Sequence, residues 1–465
     1  MISKPGIRFQ FVCFILSSSL ILNCLFSRWH TYSNEQIPLL QQCNTAIKID
    51  RAPTDFIKFS EDLDLLKSFY LEDFQVGNEN ITSIEQIDEV DRRELTKCFK
   101  LLEKQILPYV EKKAIWPWAA PAKFNNLKSL KNTFKPGTKG VVICSCDKLF
   151  DFTINLIKGL FTAFNFELPI LVVYIGEDDL SIGKRAYLHN MNVTTLDITE
   201  YFDNSVLKLK GFAVKPFAIL AAPFEEVLFL DADTIFIQNP SKMFNDSEYQ
   251  QEGLLLQKDR ALHHWWTKQR LWFINNLPKP LSNKLINSDM YNGLTDHQID
   301  SSLIVINKKL RLFSLLATCK MNMYEEREES FYKTFYGDKE SFWLGAEMTR
   351  EGYTILPLLP GVFGRFVDWD NELICGRQLM FDREGVPFYF NEGVLYDKTA
   401  PLEERLLLEV PTHYEYHGRW YEPKGHHRCL YSKGIEFSKE QVNRFDLLIN
   451  MFKHIKIKGD TFKRP

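Results

Sequence analysis

The chain has 465 residues, 45% of them hydrophobic, and a formal net charge of -3 at pH 7. This length and apolar content allow two or three domains with a large core, and the near-neutral charge lacks the basic domain or stripe of a nucleic-acid-binding protein. Aromatic residues make up 14%, including 37 Phe, which suits either dense cores or surfaces that stack sugars. Composition does not choose between these two.

The amino terminus contains a 19-residue run without charge, residues 9–27, with Lys4 and Arg8 before it and Arg28 after it. As a helix it would span roughly 28 Å, close to the thickness of the hydrocarbon core of a bilayer. The cationic residues ahead of it predict a cytosolic tail of residues 1–8, a transmembrane signal anchor and a lumenal remainder. A cleaved signal peptide is the alternative, but the run is long for one and no A-x-A-like cleavage site follows.

Two features of the remainder fit a secretory lumen. Asn80, Asn192 and Asn245 begin N-x-[ST] triplets, which are acceptor sites for N-glycosylation. The cysteine count after the span is odd, so at least one is free or pairs between chains, and the connectivity stays open. Cys144 and Cys146 lie in an apolar strand pattern, which favours buried thiols over a metal site. The seven cysteines are Cys43, Cys98, Cys144, Cys146, Cys319, Cys375 and Cys429.

Residues 28–135 are predicted to form a lumenal stem that becomes an N-terminal helical region. Helices are expected at residues 61–71 and 94–107, where Pro108 ends the second. Trp116-Pro117-Trp118 then marks a boundary. Association of chains through this stem, with itself or with another chain, is left open.

Residues 136–465 are predicted to form an α/β domain, because strand and helix patterns alternate from Lys139 onward. The alternation indicates a Rossmann-like, mostly parallel sheet flanked by helices. A second, less regular half follows. Strands are expected at residues 140–146, 169–175, 193–197, 227–230, 254–257, 302–306 and 353–356, and helices at 152–164, 181–189 and 214–222.

The strand at residues 227–230 ends in Asp231 and Asp233. Four consecutive apolar residues predict a strand buried on both faces, and ligands of parallel sheets bind at the carboxyl ends of strands. If the backbone stays extended, both carboxylates point the same way. Two hard oxygen ligands so placed suit a divalent ion that also holds a diphosphate.

The same Asp-x-Asp spacing occurs twice more, so context has to select the functional pair. Asp62 and Asp64 lie in an amphipathic helix pattern, which predicts a solvated face. Asp368 and Asp370 lie in an aromatic loop, where either loop scaffolding or acceptor contact is open. Only Asp231 follows a buried strand, where unpaired carboxylates are strongly disfavoured without a cation.

Several motifs together resemble the fungal alpha-1,3-mannosyltransferase family, type II Golgi enzymes that build mannan and related glycans. The sequence is more distantly similar to glycogenin-like retaining glycosyltransferases, which also place a Lys one helix before the Asp-x-Asp strand. The resemblance covers roughly residues 135–430. The motifs that carry it are residues 211–220 (GFAVKPFAIL), 228–234 (LFLDADT), 238–240 (QNP), 298–305 (QIDSSLIV) and 337–345 (GDKESFWLG).

The resemblance implies a GT-A fold, GDP-mannose as donor and Mn(II) as cofactor. It implies transfer to terminal mannose of N- or O-linked glycans, with retention at the anomeric carbon and an alpha-1,3 linkage. An alpha-1,2 linkage made by the same fold is the alternative. Whether the acceptor is N- or O-linked stays open.

The resemblance also assigns candidate site residues. Lys215, which opens the helix before the Asp-x-Asp strand, would bind the donor together with Asp231 and Asp233; the alternative is a surface lysine. Asp300 and Asp338 would hold donor or acceptor hydroxyls as catalytic residues. The alternative for Asp338 is the N-cap of a helix at residues 339–345.

Similar enzymes complete the metal site with a histidine near the carboxyl end. His413 and His417 are both candidates, and on a strand they would share one face. A structural, hydrogen-bonded histidine is equally compatible with either position. His263, His264 and the two tryptophans after them are expected to bury aromatic rings in a core, with an acceptor-stacking wall as the alternative.

For the chemistry, a metal held by Asp231 and Asp233 would neutralise the charge that develops on the departing diphosphate. No carboxylate pair has the spacing expected of a double-displacement glycosidase, which favours same-face attack. Two proteins of other classes remain as rivals. One is a haloacid-dehalogenase-like phosphatase, although Ile235 misses its motif and the motif follows about the fourth strand rather than the first. The other is an inactive glycan-binding protein that keeps the fold.

Overall fold

The computed structural model describes residues 55–75, 111, 126–261, 268–367, 370–391, 393–394, 410–415, 419–421 and 429–459. No helix within these ranges is long and apolar enough to cross a membrane. Several predictions lie outside the described residues and stay predictions. They concern the anchor at 9–27, Asn80, the helix at 94–107, Trp116-Pro117-Trp118, His263 to Trp266, and His417.

The described helices surround the sheets and include one long amino-terminal and one long carboxyl-terminal helix. Short 3-10 turns occupy Ile198–Glu200, Gly211–Ala213 and Pro240–Asn245, and a π-helical turn occupies Arg327–Phe331. The α-helices are α1 Phe56–Gln75, α2 Leu127–Lys131, α3 Phe150–Phe164, α4 Ile182–Asn190, α5 Asn204–Leu207, α6 Val214–Ala221, α7 Ser247–Glu252, α8 Lys268–Asn276, α9 Asn283–Ile286, α10 Leu312–Met321, α11 Tyr324–Glu326, α12 Tyr332–Thr334, α13 Ser341–Thr349 and α14 Lys439–Gly459.

The strands form two sheets in the described chain. They are β1 Lys135–Cys144, β2 Ile170–Tyr174, β3 Thr194–Asp197, β4 Phe224–Leu230, β5 Ile235–Phe236, β6 Leu254–Lys258, β7 Ile299–Asn307, β8 Thr354–Ile355, β9 Gly361–Val367, β10 Asp370–Phe381, β11 Pro387–Phe390, β12 His413–Glu415, β13 Arg419–Tyr421, β14 Cys429–Tyr431 and β15 Ile435–Glu436.

The first sheet has the order β3-β2-β1-β4-β7-β6-β8. Strands β1 to β4 are mutually parallel, β7 runs antiparallel to both β4 and β6, and β8 is parallel to β6. The carboxyl ends of β1, β2, β3, β4 and β6 therefore meet the amino end of β7 at one edge. The predicted α/β class with a mostly parallel sheet flanked by helices is confirmed.

The second sheet is antiparallel and connects to the first through residues 231–234. It has the order β13-β14-β10-β9-β12-β15, and β11 joins β10 to the short strand β5. The chain leaves the first sheet at the end of β4 and enters the second at β5, so the Asp-x-Asp segment is the crossover between them. This connection holds the segment at both of its ends.

Strand β4 is buried on both faces, as its apolar run predicts. Val227 and Phe229 belong to one hydrophobic cluster, with helices α6, α10 and α13. Leu228 and Leu230 belong to the other, with helix α3. Side chains alternate across a strand, so a strand between two helical layers must be apolar at every position. This burial holds the end of β4 rigidly where the carboxylates begin.

The boundaries of the elements shift by a few residues from those predicted, and one burial prediction is wrong. Helix α1 runs from Phe56 to Gln75 instead of 61–71. Asp62 is buried rather than solvated, and Asp64 is half-buried with its pKa raised by burial. The helix packs against α13 and α10, and the Ser60 hydroxyl donates to the Met348 carbonyl at 2.7 Å. A helix face that reads as polar is thus covered by a remote part of the chain.

A disulfide joins Cys375 of β10 to Cys429 of β14. The two residues are direct partners in the antiparallel ladder and are separated by 54 positions in sequence. Cys144, Cys146 and Cys319 are free thiols, and burial raises the pKa of the Cys144 and Cys319 thiols. Cys144 and Cys146 are only partly buried, so the prediction of buried thiols at these two positions is wrong, although both are free.

Replacing Cys375 and Cys429 together with alanine is expected to lower the free energy of unfolding by about 2–4 kcal/mol, because the bond restricts the unfolded chain over a long loop. Denaturant unfolding of both proteins measures the difference. As a control, added reductant should destabilise the wild type and have no further effect on the double variant. An equal response of both proteins to reductant would contradict the pairing.

Candidate active site

The Asp-x-Asp segment forms a turn, not a continuation of the strand. Ala232 and Asp233 are in turn conformation, and the Thr234 amide and hydroxyl both donate to the Asp231 carbonyl, at 3.2 and 2.8 Å. The expectation of an extended backbone with parallel carboxylates is therefore wrong. The chain turns here because it must leave the first sheet for the second within a few residues.

Lys215 is the cation of this site and is buried, so the surface-lysine alternative is wrong. Its Nζ lies 2.8 Å from Asp231 Oδ1 and 3.8 Å from Asp338 Oδ2, and donates to Ser301 Oγ at 3.1 Å. The side chain is 7% exposed. Lys215 is the second residue of helix α6, so the amino end of this helix positions it. Pro216, which follows, is tolerated because it lies in the first turn of the helix.

The carboxylates around Lys215 are in an environment that disfavours negative charge. Burial raises the pKa of Asp231 to about 6, against the opposing effect of Lys215, and the adjacent Asp233 adds to the rise. Burial also raises the pKa of Asp338 despite Lys215. Burial alone would lower the pKa of Lys215, but Asp231 and Asp338 outweigh it and raise that pKa. Near neutral pH the group is therefore a buried ion pair crowded with carboxylates.

Asp300 and Asp338 both lie near Lys215 and Asp231, but each pairs with a different lysine: Asp338 with Lys215 and Asp300 with Lys339. Asp300 is the second residue of β7 and accepts from the Ser302 amide at 2.8 Å. Asp338 follows Gly337, whose φ is +67°, in the turn before α13. Helix α13 begins at Ser341 and Glu340 precedes it, so Asp338 is not the N-cap.

A second ion pair, which the sequence analysis missed, lies beside the first. Lys339 Nζ is 2.7 Å from Asp259 Oδ2 and 3.6 Å from Asp300 Oδ2, and Gln378 Nε2 donates to Asp259 Oδ1 at 3.1 Å. Although burial opposes it, Lys339 lowers the pKa of Asp259 to about 2. The only sequence signals were that Lys339 follows Asp338 and that Asp259 directly follows an apolar strand.

The two lysines together link four segments of the chain at one edge of the sheet. Asp231 follows β4, Asp259 follows β6, Asp300 begins β7, and Asp338 precedes α13. Residues 393–394 approach from the second sheet, where a Cβ on Gly393 would lie 3.7 Å from Asp233 Cβ and 2.7 Å from Phe152. This edge of the sheet thus brings together two cations and several carboxylates, a set of groups suited to contacts with the phosphates and hydroxyls of a ligand.

Asp231 and Asp233 are suited to holding a divalent cation. They are hard oxygen ligands at a strand terminus, and burial raises the pKa of Asp231 because it disfavours the negative charge, which a bound cation would offset. The third ligand is not found: no group of three His, Cys, Asp or Glu in the described chain has metal-binding geometry. The substrate phosphates and water commonly supply the remaining ligands of such a cation.

His413, one of the two predicted histidine ligands, lies in β12 of the second sheet. Its Nδ1 atom is 2.8 Å from the Thr412 hydroxyl, and its ring is 4.8 Å from that of Phe366. This is the environment of a packed, hydrogen-bonded histidine. His417 is outside the described residues, so the choice between the two histidines stays open.

Two of the three predicted glycosylation sites lie in the described chain. Asn192 follows helix α4, and Asn245 ends a 3-10 turn before α7. Both asparagines are exposed, as are Thr194 and Ser247 two positions later. Their accessibility is what modification would require.

Glu340, next to the second lysine, is fully buried. Burial raises its pKa to about 8, although the Trp343 indole and the Gln298 amide both donate to it. The folded state thus favours the protonated acid. Its contribution to the free energy of unfolding is complete below the pKa of an unfolded glutamate, 4.5, and is lost as the pH rises to the pKa in the folded protein, about 8. The folded protein is therefore expected to lose stability between these two pH values.

In a Glu340→Gln variant this loss should shrink, because glutamine does not ionise. Between about pH 5 and pH 8 the free energy of unfolding of the wild type should fall, relative to that of the variant, by about 1.4 kcal/mol per pH unit. Denaturant unfolding of both proteins at several pH values measures this difference. Glu440→Gln is the control, since the Glu440 side chain is 85% exposed. Identical pH slopes in the Glu340→Gln variant and the wild type would contradict the raised pKa.

Residues 138–381, just over half of the chain, match the family described as "Mannosyltransferase putative". The chain belongs to this mannosyltransferase family. The matched range contains Lys215, Asp231, Asp233, Asp300 and Asp338, whereas His413 and His417 lie beyond it. It confirms the resemblance and, at the level of the family, the prediction of a glycosyltransferase, and it leaves no place for the phosphatase alternative.

The curated relatives that match are also named as mannosyltransferases. The chain is 26% identical to the "Putative alpha-1,3-mannosyltransferase MNN14" of Candida albicans over 69% of its length and 54% of the relative's. It is 27% identical to alpha-1,3-mannosyltransferase MNT3 of Saccharomyces cerevisiae, covering 49% and 40%. It is 23% identical to alpha-1,2-mannosyltransferase MNN23 of Candida albicans, covering 52% and 45%. The chain thus spans about half the length of the curated relatives it matches.

Among solved structures, the galactosyltransferase LgtC in complex with donor and acceptor sugar analogues aligns with 46% of this chain and 72% of its own, at 14% identity and a TM-score of 0.29.

Proposed function

We propose that this chain transfers mannose from GDP-mannose to the terminal mannose of an N- or O-linked glycan, forming an alpha-1,3 linkage with retention of configuration. The observation that carries the proposal is the buried Lys215 between Asp231 and Asp338 at the carboxyl end of the central strand. Sheets of this kind bind nucleotides at that edge. Membership of the mannosyltransferase family supplies the class of sugar.

We assign the sheet to the GT-A type of glycosyltransferase, with the nucleotide over the β1 to β4 half. Asp231 and Asp233 would hold Mn(II), which when bound supplies a Lewis acid for the diphosphate oxygens. Lys215 adds a fixed positive charge, because Asp231 and Asp338 keep it protonated. A charge held in place before reaction costs no reorganisation when the leaving group becomes negative.

Retention follows if the acceptor attacks from the face that the diphosphate leaves. The bond from the anomeric carbon to the diphosphate oxygen breaks, the acceptor oxygen bonds to that carbon, and its proton passes to the departing phosphate. Asp338 and Asp300 would orient hydroxyls of the two sugars. Lys339 would orient Asp300, since its Nζ lies 3.6 Å from Asp300 Oδ2.

The linkage has one supported alternative. A relative named as an alpha-1,2-mannosyltransferase matches over 52% of this chain, and the two linkages differ only in which acceptor hydroxyl is presented. The third hypothesis is an inactive glycan-binding protein. The presence of Lys215, Asp231 and Asp233 argues against it.

The test is incubation of the purified full-length chain with GDP-mannose, MnCl₂ and an alpha-mannoside, followed by linkage analysis of the product. Transfer that chelation abolishes and Mn(II) restores is the expected result. Other sugar nucleotides serve as controls for the donor. Transfer from one of them and none from GDP-mannose would overturn the donor assignment, and glycan binding with no transfer would favour the inactive reading.

We further propose that the protein is a single-pass type II protein of the Golgi membrane, anchored by residues 9–27 with the catalytic domain in the lumen. The disulfide supports an oxidising compartment, and exposed Asn192 and Asn245 suit lumenal glycosylation. Endoglycosidase treatment of wild type, Asn192→Gln and Asn245→Gln proteins measures this. A wild-type protein whose migration does not change on treatment would contradict it.

A further inference from the structure

Two exposed aromatic rings lie beside the two lysines of the candidate active site. The described chain has three aromatic residues among its exposed large hydrophobic side chains, namely Phe212, Tyr336 and Tyr431. Phe212 is 48% exposed and Tyr336 is 61% exposed. Their ring centroids are 6.1 Å apart, with the planes tilted by 51°. Exposed aromatics are uncommon in a chain that buries most of its phenylalanines, and a contiguous pair indicates a binding surface.

The two rings are fixed to the ion pairs that line the site. Lys215 Nζ lies 5.7 Å from the centre of the Phe212 ring, and Lys339 Nζ lies 5.9 Å from that of Tyr336. Gly337 allows Phe212 to approach the turn, since a Cβ there would lie 3.0 Å from the ring. The rings are thus held in place by contacts with the residues on both sides of Asp338.

The polar group next to the rings is the Asp338 carboxylate, whose Oδ2 atom lies 3.8 Å from Lys215 Nζ, beyond hydrogen-bond distance. The Ser301 side chain bonds to the Asp338 carboxylate, but Asp338 Oδ2 is buried and has no hydrogen-bond partner among the described residues. A ligand that fits must donate a hydroxyl to this oxygen and cover the rings with an apolar face. A pyranose has both features, whereas a diphosphate has no proton to donate.

We propose that Phe212 and Tyr336 form the stacking platform for the acceptor sugar, with a hydroxyl of that sugar donating to Asp338. This deepens the proposed function and rests on it for the identity of the acceptor. The platform adjoins Lys339, whose partners Asp259 and Asp300 lie at the ends of β6 and β7. The nucleotide is expected over the β1 to β4 half. Phe212 lies beside Lys215 and Tyr336 beside Lys339, so the platform lies between the two ion pairs, where an acceptor sugar would meet the donor.

The test compares the wild type with Phe212→Leu and Tyr336→Leu in the full-length chain, with the KM for GDP-mannose and the KM for an alpha-mannoside measured separately. Each substitution should raise the acceptor KM about tenfold, which corresponds to roughly 1.4 kcal/mol of lost contact, while the donor KM changes by less than about twofold. Tyr336→Trp should restore the acceptor KM. Tyr431→Leu is the matched control, an exposed tyrosine of the second sheet, and should change neither constant.

Three results would overturn the platform: an unchanged acceptor KM, a donor KM that rises as much as the acceptor KM, or Tyr431→Leu having the same effect. If the wild type transfers no mannose, the proposed function fails, and the platform is judged by saturation-transfer NMR of methyl alpha-mannoside. Loss of that signal in Tyr336→Leu, with Tyr431→Leu unaffected, would support sugar stacking. An equal signal in all proteins would refute it.

Discussion

Replacing Lys215 with methionine should lower the free energy of unfolding by about 3–5 kcal/mol, because buried carboxylates then lose their counter-ion. Asp338 is 1% exposed and Asp231 is 24% exposed, so water cannot replace the ammonium fully. The variant should also lose transfer activity by about a hundredfold or more in conditions where it stays folded, since a fixed charge beside the leaving group is removed. Denaturant unfolding and initial rates per folded protein measure the two effects.

Lys308→Met is the matched control for this substitution. Lys308 is also fully buried, but it donates to the carbonyl oxygens of Leu220 and Ala222, and burial lowers its pKa well below the ordinary value. Its replacement should cost less stability and leave the rate per folded protein unchanged. A Lys215→Met, Asp231→Asn double variant should recover part of the stability but none of the activity. Recovery of both would place Lys215 outside the chemistry.

Replacing Asp233 or Asp231 with alanine should reduce transfer by about a thousandfold or more, the loss that about 4 kcal/mol of transition-state stabilisation gives. The two variants should differ in stability. Asp231→Ala removes the partner of Lys215 and should also destabilise the fold, whereas Lys215 keeps its closest carboxylate in Asp233→Ala. Initial rates over a range of Mn(II) concentrations, with unfolding curves beside them, measure both effects.

Asp382→Asn is the matched control for the two carboxylates. Asp382 is as buried as Asp338 and pairs with Lys242 at 2.7 Å. It should cost stability and leave the Mn(II) dependence of the folded protein as it is in the wild type. Activity in either Asp231→Ala or Asp233→Ala close to that of wild type would refute the metal site.

The predicted strands and helices of the first sheet were confirmed within a few residues because each depends on neighbours in sequence. The apolar run before Asp231 could only be a strand between two layers, and the helix carrying Lys215 was bounded by Gly211 and by the next strand. Hydrophobic periodicity reports such local burial directly. The turn at Ala232 and Asp233 was missed because it depends on β5 joining a second sheet, whose other strands come much later in the chain.

The site was predicted in part for the same reason. Lys215 and Asp231 are 16 residues apart and belong to one helix-strand unit, so their pairing follows from the motif. Lys339 and Asp259 are 80 residues apart, and no pattern in the sequence near either residue indicates that the two pair. The burial of Asp62 and the pairing of Cys375 with Cys429 are long-range contacts of the same kind.

The sequence by itself determined the α/β class, the family and the position of the two carboxylates at the end of a buried strand. These properties depend on local patterns, where one element fixes which of its faces is apolar. Only the tertiary structure decided that Lys215 is shared with Asp338, that a second lysine holds Asp259 and Asp300, and that Phe212 meets Tyr336. Those contacts join residues that lie 39 or more positions apart in the sequence, and packing of the whole chain selects such pairs from many that the sequence equally allows.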